Sequence, residues 1–196
     1  MSILLFDTET IGFFLDREPI DHPGQPHLVQ IAAQLCEDDG QIIGSFSYIV
    51  NPGVDIPEQA SKVHGITTDK AKALGITNEA AVAAFRHFYQ IADLVVAHNI
   101  KFDKGVMEVA IYRQFGKIMS LKKQLFCTME AAAPIVDLPP TERMISAGFN
   151  KPKPPKLEEC IKHFFDEKLD GAHDAMVDVI ACRRVYFHLQ TLKVAA

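Results

Sequence analysis

The sequence predicts a mixed α/β fold, a five-stranded sheet with helices packed on both faces. Three observations lead there. Segments of strand length and apolar character dominate the first 50 residues. From residue 78 onward, helical periodicity alternates with short apolar runs. No internal repeat, low-complexity tract or linker divides the chain. Strands first and alternating elements later combine antiparallel and parallel pairing in one sheet. A chain of 196 residues can bury a sizeable core, so residues 1–196 are expected to form one domain.

The elements follow in order. Ile3 to Phe6 is fully apolar and reads as a buried strand. Gly12 to His27, rich in Pro, Gly and charge, reads as a long loop. Leu28 to Cys36 and Gln41 to Val50 read as two more strands around the turn Asp38-Asp39-Gly40, which completes an antiparallel meander. Thr67 after His64-Gly65-Ile66 marks the start of a helical stretch. Asn78 to Ile91 has helical spacing, with Ala81, Phe85 and Phe88 on one side and Asn78 as its N-cap. Leu94 to Ala97 is a short buried strand, Lys104 to Phe115 a helix, and Leu125 to Thr128 the fifth strand. Asn150 to Lys156, with three prolines, is an exposed loop. Leu157 to Phe165 and Ala175 to Leu192 close the chain as helices.

Bulk properties exclude several classes. A hydrophobic content of 48% with 23% charged residues is that of a soluble globular protein. A net charge of −5 argues against a protein that coats nucleic acid, which is usually basic. It is compatible with a nucleic-acid enzyme whose acidic site holds cations. Cys36, Cys127, Cys160 and Cys182 are too widely spaced for a zinc site or a disulfide framework. The N-terminus is not a signal peptide and no apolar stretch approaches the ~20 residues of a membrane span, so a cytoplasmic protein is expected.

Four acids and one histidine carry the chemistry. Asp7 and Glu9 follow the apolar strand at i, i+2, and residues two apart on a strand share a face. Converging carboxylates repel and raise each other's pKa, and a hard divalent cation with oxygen ligands relieves that repulsion. Asp178 lies on the apolar stripe Ala175, Val179, Cys182, Tyr186 and Leu189, not opposite it. A carboxylate facing a core needs a partner, and no Lys or Arg is an obvious one. Asp103 has two compatible readings, N-cap of the following helix and ligand at the same site. His173 precedes the Asp178 helix after the flexible Gly171-Ala172, and an imidazole there suits a general base. Phe102 is either a core aromatic or a stacking surface for a base, and Lys151, Lys153 and Lys156 form a solvated basic loop that could meet a phosphate backbone.

Phe6-Asp7-Thr8-Glu9-Thr10, His98-Asn99-x-x-Phe102-Asp103 and His173-x-Ala175-x-x-Asp178, in this order, resemble the DEDDh 3′–5′ exonucleases, the family of RNase T and of the proofreading subunit of bacterial DNA polymerase III. Val63-His64-Gly65-Ile66-Thr67 and Pro155-Lys156-Leu157 look like further family elements. The resemblance spans essentially the whole chain. It implies a ribonuclease H-like fold and two Mg²⁺ or Mn²⁺ ions. Asp7, Glu9 and Asp178 would surround one ion, Asp7 would be shared with the second, and Asp103 would support that second ion. Such ions, ~4 Å apart, stabilise both the entering and leaving oxygens of a phosphodiester displacement. His173 would be the general base. Thr10, Ile66, Phe102, His98 and Asn99 would form the substrate pocket, with Ile66 as a wedge beside the terminal base. The implied substrate is the 3′ end of single-stranded DNA or RNA, and the implied product is a nucleoside 5′-monophosphate. A polymerase or another replication or repair protein is the expected partner, with no membrane involved. Ile11, where many relatives carry a second Thr, and the long loop after it depart from the family pattern.

An interaction module that keeps the fold without activity, and a two-metal phosphoesterase of small nucleotides, are the competing functions. The presence of all four acids and the histidine favours the active nuclease.

Overall fold

A computed structural model describes residues 1–194. Its centre is a five-stranded sheet in the order β3-β2-β1-β4-β5. Strands β1 (Ile3–Thr10), β2 (Leu28–Cys36) and β3 (Ile42–Ile49) form the expected antiparallel meander. Strands β4 (Leu94–Ala97) and β5 (Gln124–Cys127) then add in parallel beside β1. This is the mixed sheet of the ribonuclease H-like fold.

Eight helices are described around it. α1 (Glu58–His64), α2 (Thr68–Leu74) and α3 (Asn78–Ile91) lie between β3 and β4, and α4 (Ile100–Phe115) between β4 and β5. α5 (Thr128–Val136), α6 (Glu142–Ser146), α7 (Leu157–Phe165) and α8 (Ala175–Val194) follow β5. Side chains alternate across a strand, and β1 divides its apolar residues accordingly. Leu4 and Phe6 pack in one cluster with Phe85 of α3 and Met107 and Ile111 of α4. Ile3 and Leu5 pack in the other with Ala175, Val179, Cys182 and Tyr186 of α8. Every residue of β2 is buried, since helices cover both of its faces.

Several boundaries differ from the sequence reading for identifiable reasons. β1 continues from Phe6 to Thr10, because pairing with β2 persists after the apolar run ends. α4 begins at Ile100, so Asp103 is not its N-cap but lies inside its first turn. The cap position falls to Asn99, in the left-handed conformation at φ 68°. The N-cap of α3 is Thr77, whose hydroxyl accepts from the Ala80 N–H, while the Asn78 side chain crosses to the Ala110 carbonyl of α4. Thr67 caps α2 as expected. Helices α1, α5 and α6 lacked the length or periodicity to stand out; α5 even holds Pro134. Thr128, assigned to the fifth strand, opens α5.

The segment from Gly12 to His27 has no strand or helix, as expected, yet it is tightly held. Gln25, 2% exposed, sits at its centre. The Gln25 side chain accepts from the Leu15 N–H and donates toward the carbonyls of Leu15, Glu18 and Pro19. Arg113 of α4 grips the carbonyls of Gln25 and Pro26. Phe14 lies over Gly105 of α4, where an added Cβ would come within 2.5 Å of its ring. Gly105→Ala should therefore lower the melting temperature. The overpacking cost of about 1–3 kcal/mol exceeds the ~1 kcal/mol that Ala gains over Gly in a helix. Limited proteolysis should then cut faster between residues 12 and 27, and an unchanged rate and midpoint would show that Phe14 does not anchor the loop.

Candidate active site

The site forms where β1 outruns its parallel neighbour. β4 pairs with β1 only opposite Ile3, Leu4 and Leu5, so Asp7 and Glu9 project beyond that pairing. Open α/β sheets bind ligands at such carboxyl ends of strands. The chain leaves β4 and enters α4 at the same place, which delivers Asp103. Asp7 and Glu9 share the β1 face that packs against α8, the helix that carries Asp178.

All four acids and His173 line one cavity of about 900 Å³. One ligand atom each from Glu9, His173 and Asp178 lies within 4.8 Å of the others. Asp103 is 2% exposed, and its Oδ1 accepts from both the backbone N–H (3.0 Å) and the hydroxyl (2.8 Å) of Thr8. Thr8, between the two acids in sequence, points to the α4 face and thus ties Asp103 to β1. His173 is exposed and left-handed at φ 69°, and its backbone N–H donates to Asp178 Oδ2 at 3.1 Å. That conformation is strained for a residue with a Cβ, and such strain clusters at functional sites.

The electrostatics are those of carboxyls held against their preference. Burial pushes Glu9 up to about 8, and the charges of Asp178, Asp103 and Asp174 add to it. Burial also lifts Asp103 to about 7, although the Thr8 hydrogen bonds pull the other way. Asp7 is raised well above the carboxylate range by burial and then by Asp103, Asp178, Glu9 and Asp174. Asp178 is raised by burial, opposed by the His173 N–H. Among the described residues, no Lys or Arg forms an ion pair with any of the four. Asp178 Oδ1 is buried with no hydrogen-bond partner. An orphaned carboxylate oxygen beside an oxygen-rich, unneutralised cluster fits a hard divalent cation.

The expected substrate residues divide. Thr10, Phe102, His98 and Asn99 line the cavity. Ile66 does not: it is 2% exposed and packs with Val29, Ile56 and Ala71, so it cannot wedge beside a base. Val63, 53% exposed, and Phe13, 89% exposed, present apolar surface to the cavity instead. Phe13 carries no sequence signal, because the loop that holds it has no periodicity. His98 is committed to the scaffold. Nδ1 meets the Thr128 hydroxyl at 2.9 Å and Nε2 meets the Pro155 carbonyl at 3.0 Å, while burial pushes the imidazole down to about 4. A neutral ring donating to Pro155 and accepting from Thr128 joins the end of β4 to the proline loop on the opposite wall. Lys156 lines that wall, paired with Glu158 at 3.3 Å.

Raised carboxyl pKa values set a pH dependence. The folded state keeps protons that the unfolded chain releases above about pH 4, so stability is full at low pH and falls as pH rises through about 7 and about 8, the values for Asp103 and Glu9. In buffer free of divalent ions the melting temperature should drop across this window. Asp7→Asn should flatten the drop, and Mg²⁺ should reverse it at the alkaline end. A melting temperature that rises with pH without metal would contradict the repulsive site.

The RNase T exonuclease family profile matches residues 4–186. A DNA polymerase III subunit epsilon-like protein of Rhodobacter capsulatus is 36% identical over 106 residues, 53% of this chain and 14% of that protein. The PolC-type DNA polymerase III of Clostridium perfringens is 27% identical over 182 residues, 93% of this chain and 11% of that one. The chain thus spans well under a fifth of either relative. E. coli Exonuclease I, in complex with a dT13 oligonucleotide, superposes with a TM-score of 0.75 at 20% identity, covering 97% of this chain and 41% of its own. Among the described residues, no helix is long and apolar enough to cross a membrane. With the family profile covering nearly the whole chain and the acids and histidine gathered in one cleft, the chain belongs to the exonuclease family, of DEDDh type.

Proposed function

We propose that this chain removes nucleotides one at a time from the 3′ end of single-stranded nucleic acid, with DNA the favoured strand, and releases nucleoside 5′-monophosphates. The observation that carries this reading is the convergence of Glu9, His173 and Asp178 within 4.8 Å, with Asp7 and Asp103 lining the same cavity. The polymerase III names of the relatives support DNA and a replication partner. The dT13 oligonucleotide on E. coli Exonuclease I supports a single strand.

Asp7, Glu9, Asp103 and Asp178 would hold two divalent ions, Mg²⁺ or Mn²⁺. Such ions neutralise the acids and stabilise the charge that develops on the phosphoryl oxygens. The chain's own groups do the rest. The exposed His173 imidazole takes a proton from the attacking water. Water oxygen bonds to phosphorus as the bond to the upstream 3′ oxygen breaks, and that oxygen takes a proton from solvent to become a new 3′-hydroxyl. Asp178 holds the His173 backbone in place through Oδ2. Phe102, Phe13 and Val63 offer apolar surface to the terminal base, and base–aromatic stacking is worth about 1–3 kcal/mol.

A labelled oligonucleotide with a free 3′-hydroxyl should shorten from that end in Mg²⁺, while a circular strand should survive. Asp7→Ala should abolish cleavage without unfolding the protein, and excess EDTA should do the same to wild type. Cutting of the circle would identify an endonuclease, and full activity in EDTA would remove the metal mechanism.

His173→Ala tests the base. Its single-turnover rate should fall by about 10²–10⁴-fold, the usual worth of general acid–base catalysis. Substrate affinity should change far less, because the base acts in the transition state. Equal rates for the two proteins from pH 5 to pH 9 would take His173 out of the reaction.

A further inference from the structure

Asp174 is a fifth acid at the site, near enough for its charge to raise Glu9 and Asp178. Its oxygens are nevertheless engaged. Oδ1 caps α8, accepting from the N–H groups of Met176 (3.0 Å) and Val177 (3.3 Å). Oδ2 accepts from Gln30 Nε2 at 3.2 Å. Gln30 lies on β2 directly opposite Glu9 and is 4% exposed. The other end of its amide, Oε1, accepts from the Ala175 N–H at 3.3 Å. One buried side chain on the sheet therefore holds both the cap and the first residue of α8. It does so immediately beside His173, whose φ of 69° needs external support.

We propose that Gln30 is a positioning residue for the reaction: its amide, bridging Asp174 and the Ala175 N–H, fixes the first turn of α8 so that His173 stays left-handed and aimed at the acids. The proposal rests on the exonuclease reading above. Without the bridge, Asp174 keeps its helix-capping bonds but loses its tie to the sheet. The segment from Gly171 to Asp174 can then relax to an ordinary conformation, and the imidazole leaves its place. Asp7 and Glu9 on β1 and Asp103 on α4 are untouched by that change, so turnover should suffer more than binding.

Gln30→Leu keeps the volume and removes the hydrogen bonds to Asp174 and Ala175, together with a longer one of 3.5 Å to the Ser47 hydroxyl on β3. Its single-turnover rate on a single-stranded DNA oligonucleotide in Mg²⁺ should fall about 10- to 100-fold, the scale of a misplacement near 1 Å. KM should move little. Asp174→Asn preserves an oxygen for the helix cap but sets an amide donor against Gln30 Nε2, so it should share the defect. The double variant should be no slower than the slower single, because both break one bridge. Amide hydrogen exchange, which needs no activity, should speed up at His173 and Ala175 by up to about tenfold, the worth of such hydrogen bonds. Exchange in β1 and β4 should stay as in wild type. Wild-type turnover in Gln30→Leu, additive losses in the double variant, or unchanged exchange at His173 and Ala175 would each overturn the proposal. An inactive wild-type protein would instead sink the exonuclease reading, and the exchange measurement would still decide whether the bridge holds His173.

Discussion

Mutual repulsion among four carboxyl groups is the constraint on which this structure turns. Asp7, Glu9, Asp103 and Asp178 are brought together from three elements, partly out of water and with no basic side chain among the described residues to pair with them. Left alone, such a cluster pushes its own helices and strands apart. The rest of the fold opposes that tendency with apolar packing on both faces of β1, supplied by α3 and α4 on one side and α8 on the other. The acids therefore sit at the end of the most thoroughly buried strand pair in the molecule. A rigid base is what allows an unfavourable charge arrangement to persist.

Small polar bridges refine what the apolar layers begin. Thr8 turns Asp103 toward β1, Gln30 ties the start of α8 to β2, and His98 joins the end of β4 to the proline loop through Thr128 and Pro155. Each bridge connects elements far apart in sequence and leaves the cavity wall less freedom. Precision of this kind matters in a nuclease because general-base and electrostatic effects decay steeply with misplacement. The cavity walls follow another rule. Phe13, Val63 and Phe102 expose apolar surface to the same cavity that the acids line.

The segment from Gly12 to His27 shows that irregular need not mean loose. Gln25 satisfies its backbone from within, Arg113 pins its end, and Phe14 fills the notch left by Gly105. These contacts hold Phe13 at the rim of the cavity, where it is 89% exposed. Buried backbone groups must find partners, and here side chains provide them in place of a strand or helix.

Local sequence by itself determined the strands, the long helices and the positions of the chemistry. Alternation and apolar runs mark regular elements, so β1 to β5 and helices α3, α4, α7 and α8 were legible to within a few residues. Asp7 and Glu9 share a face because a strand repeats every two residues, and Asp178 betrays itself as an acid on the apolar stripe of α8. Tertiary structure alone decided the rest. Whether Ile66 met solvent or core depended on Val29, far off in sequence. His98 lines the cavity, but only the fold brings Thr128 and Pro155 to its two ring nitrogens. Gln30, Thr8 and Asp174 carried no signal, because a polar residue reveals its role only through its partner. Hydrogen bonds act over about 3 Å, whereas these pairs lie up to 145 residues apart along the chain, a distance that only the folded sheet closes.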